Sequence, residues 1–335
     1  MRGKCSKRKD NRGGSRFWLV VLQEWGRKVM KTKAKIKVLL FTTLGLLLSV
    51  SISESASDQL ACGSQRTISE ALGQLNPGDT LLVSGACSEN VVIPEQVVNI
   101  ILDGQGSATI TAPDPSDPTI NVRGSGITIR NFVSIAGGET GILVTRGGAT
   151  TIDSNTIQNA GNNGIVVNLN SSARIVNNTI QSNPQTGILI TDSSSARIGF
   201  LMTGDTVARP NLIQNNGENG ISVARSSHAR IIGNTISGNG DNGVLVVRVA
   251  HADVSSNTID SNGGDGVFVF RNSGVNLGED TGSGIFDSPN TTNVNNGGFG
   301  IRCAINSYGD GRIGTLNGAS GAVSFAPNCV NATAP

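Results

Sequence analysis

The chain is short of nearly everything that an aromatic-lined or strongly basic binding surface needs. No tryptophan follows Trp25, no lysine follows Lys37, Tyr308 is the only tyrosine, and only 15% of the 335 residues are charged. A body without tryptophan offers few rings for stacking on sugars. The first 56 residues hold 13 of the 26 Lys and Arg side chains and 3 of the 24 acids, which leaves 13 basic against 21 acidic groups beyond them. A body that acidic repels phosphate backbones, so nucleic acid is excluded as a partner. No stretch of it shows the 3.6-residue periodicity of an amphipathic helix, which excludes a helical bundle. Nor does it hold an apolar run long enough to cross a bilayer as a helix. What the chain has in excess is glycine, 44 residues, together with asparagine. That composition suits a repetitive stack rather than two ordinary domains.

The first 56 residues read as an address. Lys31, Lys33, Lys35 and Lys37 precede a 13-residue apolar run from Val38 to Val50, and the small residues Ser53, Ser55 and Ala56 follow. This order describes a secretory signal peptide over residues 30–56, with cleavage near Ser55–Ser57. Residues 1–29 make an odd preface to it, so translation is expected to begin at Met30. The mature body, 57–335, is expected to be a single monomeric domain, secreted, periplasmic or at the cell surface, with no membrane span once the signal is removed.

Aligned on glycine, the body repeats itself: GILVTRGGATTI from Gly141, GIVVNLNSSARI from Gly164 and GILITDSSSARI from Gly187. GISVARSSHARI from Gly220, GVLVVRVAHADV from Gly243 and GVFVFRNSGVNL from Gly266 continue the series, and Gly300 opens a degenerate copy. The glycines are spaced 23, 23, 33, 23, 23 and 34 residues apart, a 23-residue period with insertions of 10 and 11. A second signature keeps step, in NTIQNAG at Asn155, NTIQSNP at Asn178, NLIQNNG at Asn211, NTISGNG at Asn234 and NTIDSNG at Asn257. Positions one, three, nine and eleven after each glycine are apolar, an alternation that makes short strands with one face inward. Stacked coils place each strand about 4.8 Å from its equivalent, and every coil buries its apolar face only against its neighbours.

The expected fold is therefore all-β, a parallel β-helix of about nine coils over 91–301, right-handed because crossover connections between parallel strands take that hand. The regions 63–90 and 302–335 are expected to cap it. TISEALGQL, with Thr67 and Glu70 in capping-box spacing, forms a short helix over the first coil. Asn183, Asn216, Asn239, Asn262 and Asn296, each four residues before a repeat glycine, form a ladder of stacked amides at one turn. Ser171–Ser172 and Ser226–Ser227 read in the same way. Four cysteines follow the signal, and the two ends of a long stack are too far apart for a disulfide. The pairs are then Cys62–Cys87 and Cys303–Cys329.

This glycine–Asn repeat resembles the right-handed parallel β-helix superfamily, the pectate-lyase-like fold, over about residues 65–330. It is also similar to the β-helix domain of periplasmic copper-maturation proteins. The resemblance implies the fold and leaves function open, since members include polysaccharide lyases, hydrolases, epimerases and adhesins. The paired-Asp and Gly-His-Gly elements of polygalacturonases are absent. So are the Arg-bearing motif of pectate lyases and the Asp-Pro-His element of alginate epimerases, and no catalytic role carries over.

The period supplies its own candidates. His228 and His251, the only histidines, both stand eight positions after their glycine with no insertion between them. Adjacent coils therefore stack them. Arg225, Arg248 and Arg271 share position five with Asp192, while Arg230 and Asp253 share position ten. Both insertions leave the stack at the same turn and are expected to wall these coils, with Asp205 on one wall and Glu279, Asp280 and Asp287 on the other. Outward Leu143, Val166, Leu189, Leu245, Phe268, Val247 and Phe270 form an apolar stripe suited to a partner protein. The leading expectation is a non-catalytic scaffold or adhesion module on the cell surface. The alternative is an enzyme acting on acidic polysaccharide with His228, His251 and Asp253 as catalytic groups and the arginines as carboxylate binders. A periplasmic metal-handling protein is a further reading. No cofactor is expected, although a divalent metal would suit a His pair beside carboxylates.

Overall fold

The computed structural model describes residues 55–331, apart from 203, 279–289, 291–295, 313 and 328. The basic head, the apolar run and the acids Glu279, Asp280 and Asp287 lie outside the described residues. Among the described residues, each turn between Thr80 and Phe270 gives one strand to each of three sheets in a fixed order. Thr80–Ser84 belongs to a twelve-stranded sheet, Ala86–Ser88 to an eight-stranded sheet and Val91–Ile93 to a ten-stranded sheet. Ile101–Asp103 then returns to the first sheet one layer on, and the neighbouring strands pair in parallel.

Registration follows the 23-residue period, so identical positions stack. In the eight-stranded sheet Ile110, Ile135, Ile157, Ile180, Ile213, Ile236 and Ile259 form one unbroken column, all fully buried. Burying such a side chain contributes about 1.5–3 kcal/mol, and columns of this kind on all three sheets make the core. The repeat glycine is required because the next coil comes too close. A Cβ on Gly187 would sit 2.7 Å from the carbonyl oxygen of Gly220 and 2.8 Å from Nδ2 of Asn216.

Two buried amide ladders hold the coils in step. Nδ2 of Asn155, Asn178, Asn211, Asn234 and Asn257 donates to Oδ1 of the next member at 3.1, 3.1, 2.8, 3.1 and 3.0 Å, ending at Asn290. The second runs Asn183, Asn216, Asn239, Asn262, Asn296 at 2.9, 2.9, 2.9 and 3.0 Å, the ladder read from the spacing. Asn183–Asn216 and Asn257–Asn290 remain bonded although an insertion separates each pair in sequence, so the ladders run on without a break. Of the two serine pairs read as ladders, Ser171 and Ser227 join one, with Ser194, Ser273 and Ser307, whose hydroxyls accept from the backbone of the preceding coil. Ser172 and Ser226 are exposed.

The helix Ile68–Leu72 has the expected capping box between Thr67 and Glu70. Glu89 completes it by accepting from the amides of Ile68 and Ser69 at 2.7 and 2.9 Å. The disulfides are Cys62–Cys87 and Cys303–Cys329, with Cα separations of 4.8 and 6.1 Å. The stack is longer than expected, about eleven turns rather than nine. Strands Thr80–Ser84 and Ala86–Ser88 at one end, and Tyr308–Gly311 and Val323–Phe325 at the other, continue the sheets. Those coils lack the NTI signature, and only the Tyr308–Gly311 coil opens on a repeat glycine, Gly300, but their backbones still pair in register with the neighbouring coils.

The turn from the ten-stranded to the twelve-stranded sheet uses two left-handed residues in each repeat coil, among them Asn170, Ser193, Ser226, Val249 and Asn272 with φ of 58 to 63°. Val249 is the misfit, a β-branched residue that is 62% exposed in a conformation suited to Asn or Gly. Val249→Asn is expected to stabilise the protein by about 1 kcal/mol, seen as a raised thermal midpoint.

Candidate functional site

On the strands of the twelve-stranded sheet, positions nine and eleven point inward, so eight and ten point to solvent. Parallel pairing then aligns position eight as His228, His251, Gly274, Tyr308 and position ten as Arg230, Asp253, Asn276, Asp310. The imidazoles of His228 and His251 stack with centroids 5.4 Å apart, and the Tyr308 ring lies 5.9 Å beyond His251.

Tyr308 reaches His251 because Gly274 stands between them. A Cβ on Gly274 would overlap Cζ of Tyr308, so the missing side chain lets the phenol lean across one coil. Its hydroxyl then lies 2.8 Å from Nδ1 of His251. Nε2 of His251 is 3.3 Å from Oδ1 of Asp253, which also accepts from Nδ2 of Asn276 at 2.8 Å. Burial raises the Tyr308 hydroxyl above its ordinary pKa, with the charges of Asp253 and Asp310 adding to it. A neutral phenol fits Nδ1 as a donor, and Nε2 lies between Oδ1 of Asp253 and Nδ2 of Asn276, the latter 3.2 Å away. Gly274→Ala is expected to swing Tyr308 away, leaving the melting temperature nearly unchanged while the Tyr308 phenol gains solvent accessibility, measurable by its absorbance difference.

Burial would raise the Asp253 carboxyl, but hydrogen bonds from His251 and Asn276 and the charges of the two imidazoles hold it below the usual carboxylate value. The Arg230 guanidinium packs over the Phe200 ring at 4.8 Å, with Nε 3.9 Å from Oδ2 of Asp253. Burial pushes the His228 imidazole below its ordinary 6.5; the Asp253 charge opposes this, and His251 and Arg230 reinforce it.

His228 and Arg230 form one end of a groove of ≈ 390 Å³ that runs back over two coils, past Ser195 and Arg197 to Ser172 and Arg174. The first insertion lies against two of its arginines. Leu201 O accepts from Nε of Arg174 at 3.0 Å and Nη1 of Arg197 at 3.3 Å. Asp205 points back into its own loop, accepting from the amides of Leu201 and Met202 at 2.8 and 3.1 Å. Those backbone bonds, first of all, lower its pKa. It shapes the loop.

Of the candidates read from the period, the structure brings together His228, His251, Asp253 and Arg230. Arg225, Arg248 and Arg271 stand apart on the left-handed turn. Arg225 pairs with Asp192 at 3.3 Å, Arg248 is exposed, and Arg271 lies over Phe270 at 4.9 Å. An exposed pair of this kind contributes about 0–1 kcal/mol. Arg302 covers Phe268 in the same way, so the apolar stripe is partly roofed by guanidinium groups. Arg174, Arg197, Asn276 and Tyr308 were missed. Following position ten through every coil would have found the first three, and following position eight from Gly300 would have found Tyr308.

His228, His251 and Asp253 each offer a metal-ligand atom within 4.8 Å of one another. Against a cation stand the hydrogen bond of Asn276 to the same carboxylate and the adjacent Arg230 charge. The groove's own charge is that of an anion site.

No curated protein sequence matches the chain at a significant level. Among solved structures it is similar to pectate lyase Pel9A, at 14% identity and a TM-score of 0.55, over 84% of this chain and 80% of that one. It is also similar to the Azotobacter vinelandii mannuronan C-5 epimerase AlgE6 A-module (14%, TM-score 0.43, 83% and 89% covered). A periplasmic alginate epimerase, AlgG, matches at 12% with a TM-score of 0.47 over 82% and 83%. At such identities the likeness is one of fold. The family model for the right handed beta helix region matches residues 83–207 and 141–317, more than half of the sequence. Together with three parallel sheets wound in a constant order, that match makes this chain a member of the right-handed β-helix family.

Proposed function

We propose that the protein is an enzyme acting on an acidic polysaccharide, abstracting the proton beside a uronate carboxylate in the groove at His228. The observation that carries this reading is the strand His228–Ile232, which presents His228 and Arg230 side by side on one face at the end of an arginine-lined groove. Proton abstraction next to a carboxylate needs a neutral base and a cation that takes up the charge developing on the carboxylate. Arg230 and Arg197 supply the cation. His228 takes the C-5 proton and becomes imidazolium, a form that the nearby Asp253 carboxylate stabilises. Handing the proton to O-4 breaks the C-4–O-4 bond and leaves a C-4–C-5 double bond. A proton returned to the opposite face would instead invert C-5. His251, held by Tyr308 and Asp253, keeps the His228 ring oriented by stacking.

Because burial depresses the His228 pKa, its basic form is present above that pKa and lost as pH falls through it. The acid limb of kcat/KM is expected below about 6.5, the ordinary value. The deciding experiment incubates the protein with polygalacturonate, polymannuronate and mixed uronates, following new double bonds, reducing ends and C-5 inversion by NMR. Silence on every substrate would restore the scaffold reading. We further propose export to an oxidising compartment, which the two disulfides support. No helix among the described residues is long and apolar enough to cross a membrane.

A further inference from the structure

We infer that the groove is a chain-end site, in which an acidic polysaccharide lies along the stack with one carboxylate per coil on Arg174, Arg197 and Arg230 and its last unit stops against His228. This rests on the function proposed above and adds direction and length to it.

Three independent features point the same way. The first is charge. Position ten carries arginine on three successive coils and then changes sign, to Asp253, Asn276 and Asp310. An anionic polymer gains a contact at each of the first three coils and meets carboxylates on going further. The second is shape. Position eight is the small hydroxyl residue Ser172, then Ser195, and then rises to the stacked rings of His228 and His251. The floor that admits a chain over two coils is blocked at the third, where the groove ends. The third is a burial gradient. Arg174 is exposed, Arg197 is half-buried, and the Arg230 side chain is only 13% exposed. A charge-assisted contact strengthens as water is withdrawn, so the grip tightens towards the reacting end.

Spacing agrees as well. Adjacent strands are about 4.8 Å apart, close to the length of one pyranoside unit, so a polymer along the stack stays in phase with the arginines over three coils. Leu201 O, bonded to both Arg174 and Arg197, fixes their side chains along the loop. The planar fork of arginine suits a carboxylate, and the tethered nitrogens leave further N–H groups to engage it.

The test uses the full protein with uronate oligomers of one to six units. If the inference holds, kcat/KM rises from two to three units and is then flat, and a hexamer loses single units from its first time point. Arg174→Gln lowers kcat/KM for the trimer about tenfold more than for the dimer, the value of one lost charged contact. Arg197→Gln lowers both. Internal cuts from the start, a rise continuing to six units, or an Arg174→Gln loss that is equal for dimer and trimer would overturn the chain-end site while the enzyme reading stood. If no oligomer turns over, calorimetric binding of the same series decides. A plateau at three units keeps the chain-end site and removes the enzyme, whereas no binding at any length removes both.

Discussion

His228→Ala is expected to lower turnover of the acidic polysaccharide by about 10²–10⁴-fold, the range a positioned acid–base group contributes. The His228 ring stands on the outer face of the sheet, covered on one side by the stacked His251 ring and open to solvent on the other, so its removal should leave the melting temperature within about 1 °C, in keeping with a surface change. Tyr308→Phe, which removes the hydroxyl at Nδ1 of His251, should give a smaller loss in kcat with KM unchanged, since it acts on the base only through His251. Arg271→Ala, on the turn away from the groove, should have no effect. Turnover that survives His228→Ala would put the base elsewhere and remove the mechanism. Full loss in Arg271→Ala would move the site to the turn instead.

The largest stability effect is expected in the amide ladder. Asn211 is 1% exposed and takes part in four side-chain hydrogen bonds. It donates to the carbonyl of Ile175 and to Oδ1 of Asn234, both at 2.8 Å, and accepts from the backbone and side chain of Asn178 at 2.9 and 3.1 Å. Asn211→Ala would strand the buried N–H of Asn178, costing about 1–3 kcal/mol, and would remove the two bonds that Nδ2 donates, although the Ile175 carbonyl keeps the Gly199 amide at 2.9 Å. A total loss of about 2–4 kcal/mol is expected, read from chemical unfolding followed at both ends of the stack. Asn211→Asp keeps the shape but loses both donors and buries a charge, and it should destabilise at least as much. If Asn211→Asp proves harmless, the ladder holds the coils by shape alone.

The amide ladder was legible because its members recur at constant offsets from the repeat glycine, and stacking in register turns that offset into proximity. The disulfide pairing was legible for a similar reason, since a long stack separates its ends. The site was legible only in part. Position eight announced His228 and His251, but position five looked equally good by the same criterion. Arg225, Arg248 and Arg271 were drawn from it and stand apart from the groove, because two left-handed residues per coil carry them around the corner from the sheet that holds position ten. Nothing periodic distinguishes a turn column from a sheet column until the backbone is placed.

The period, the inward alternation and the Asn columns determined by themselves that this chain winds into a parallel β-helix with its two histidines stacked. In a parallel stack the register makes spatial neighbours a function of sequence count alone. Tertiary structure decided the length of the stack, the contact of the first insertion with Arg174 and Arg197 and the relay through Tyr308. Each of these depends on contacts that the period does not specify. The terminal coils pair without the signature, the loop folds back onto the arginines through Leu201, and the phenol crosses a coil because Gly274 leaves it room.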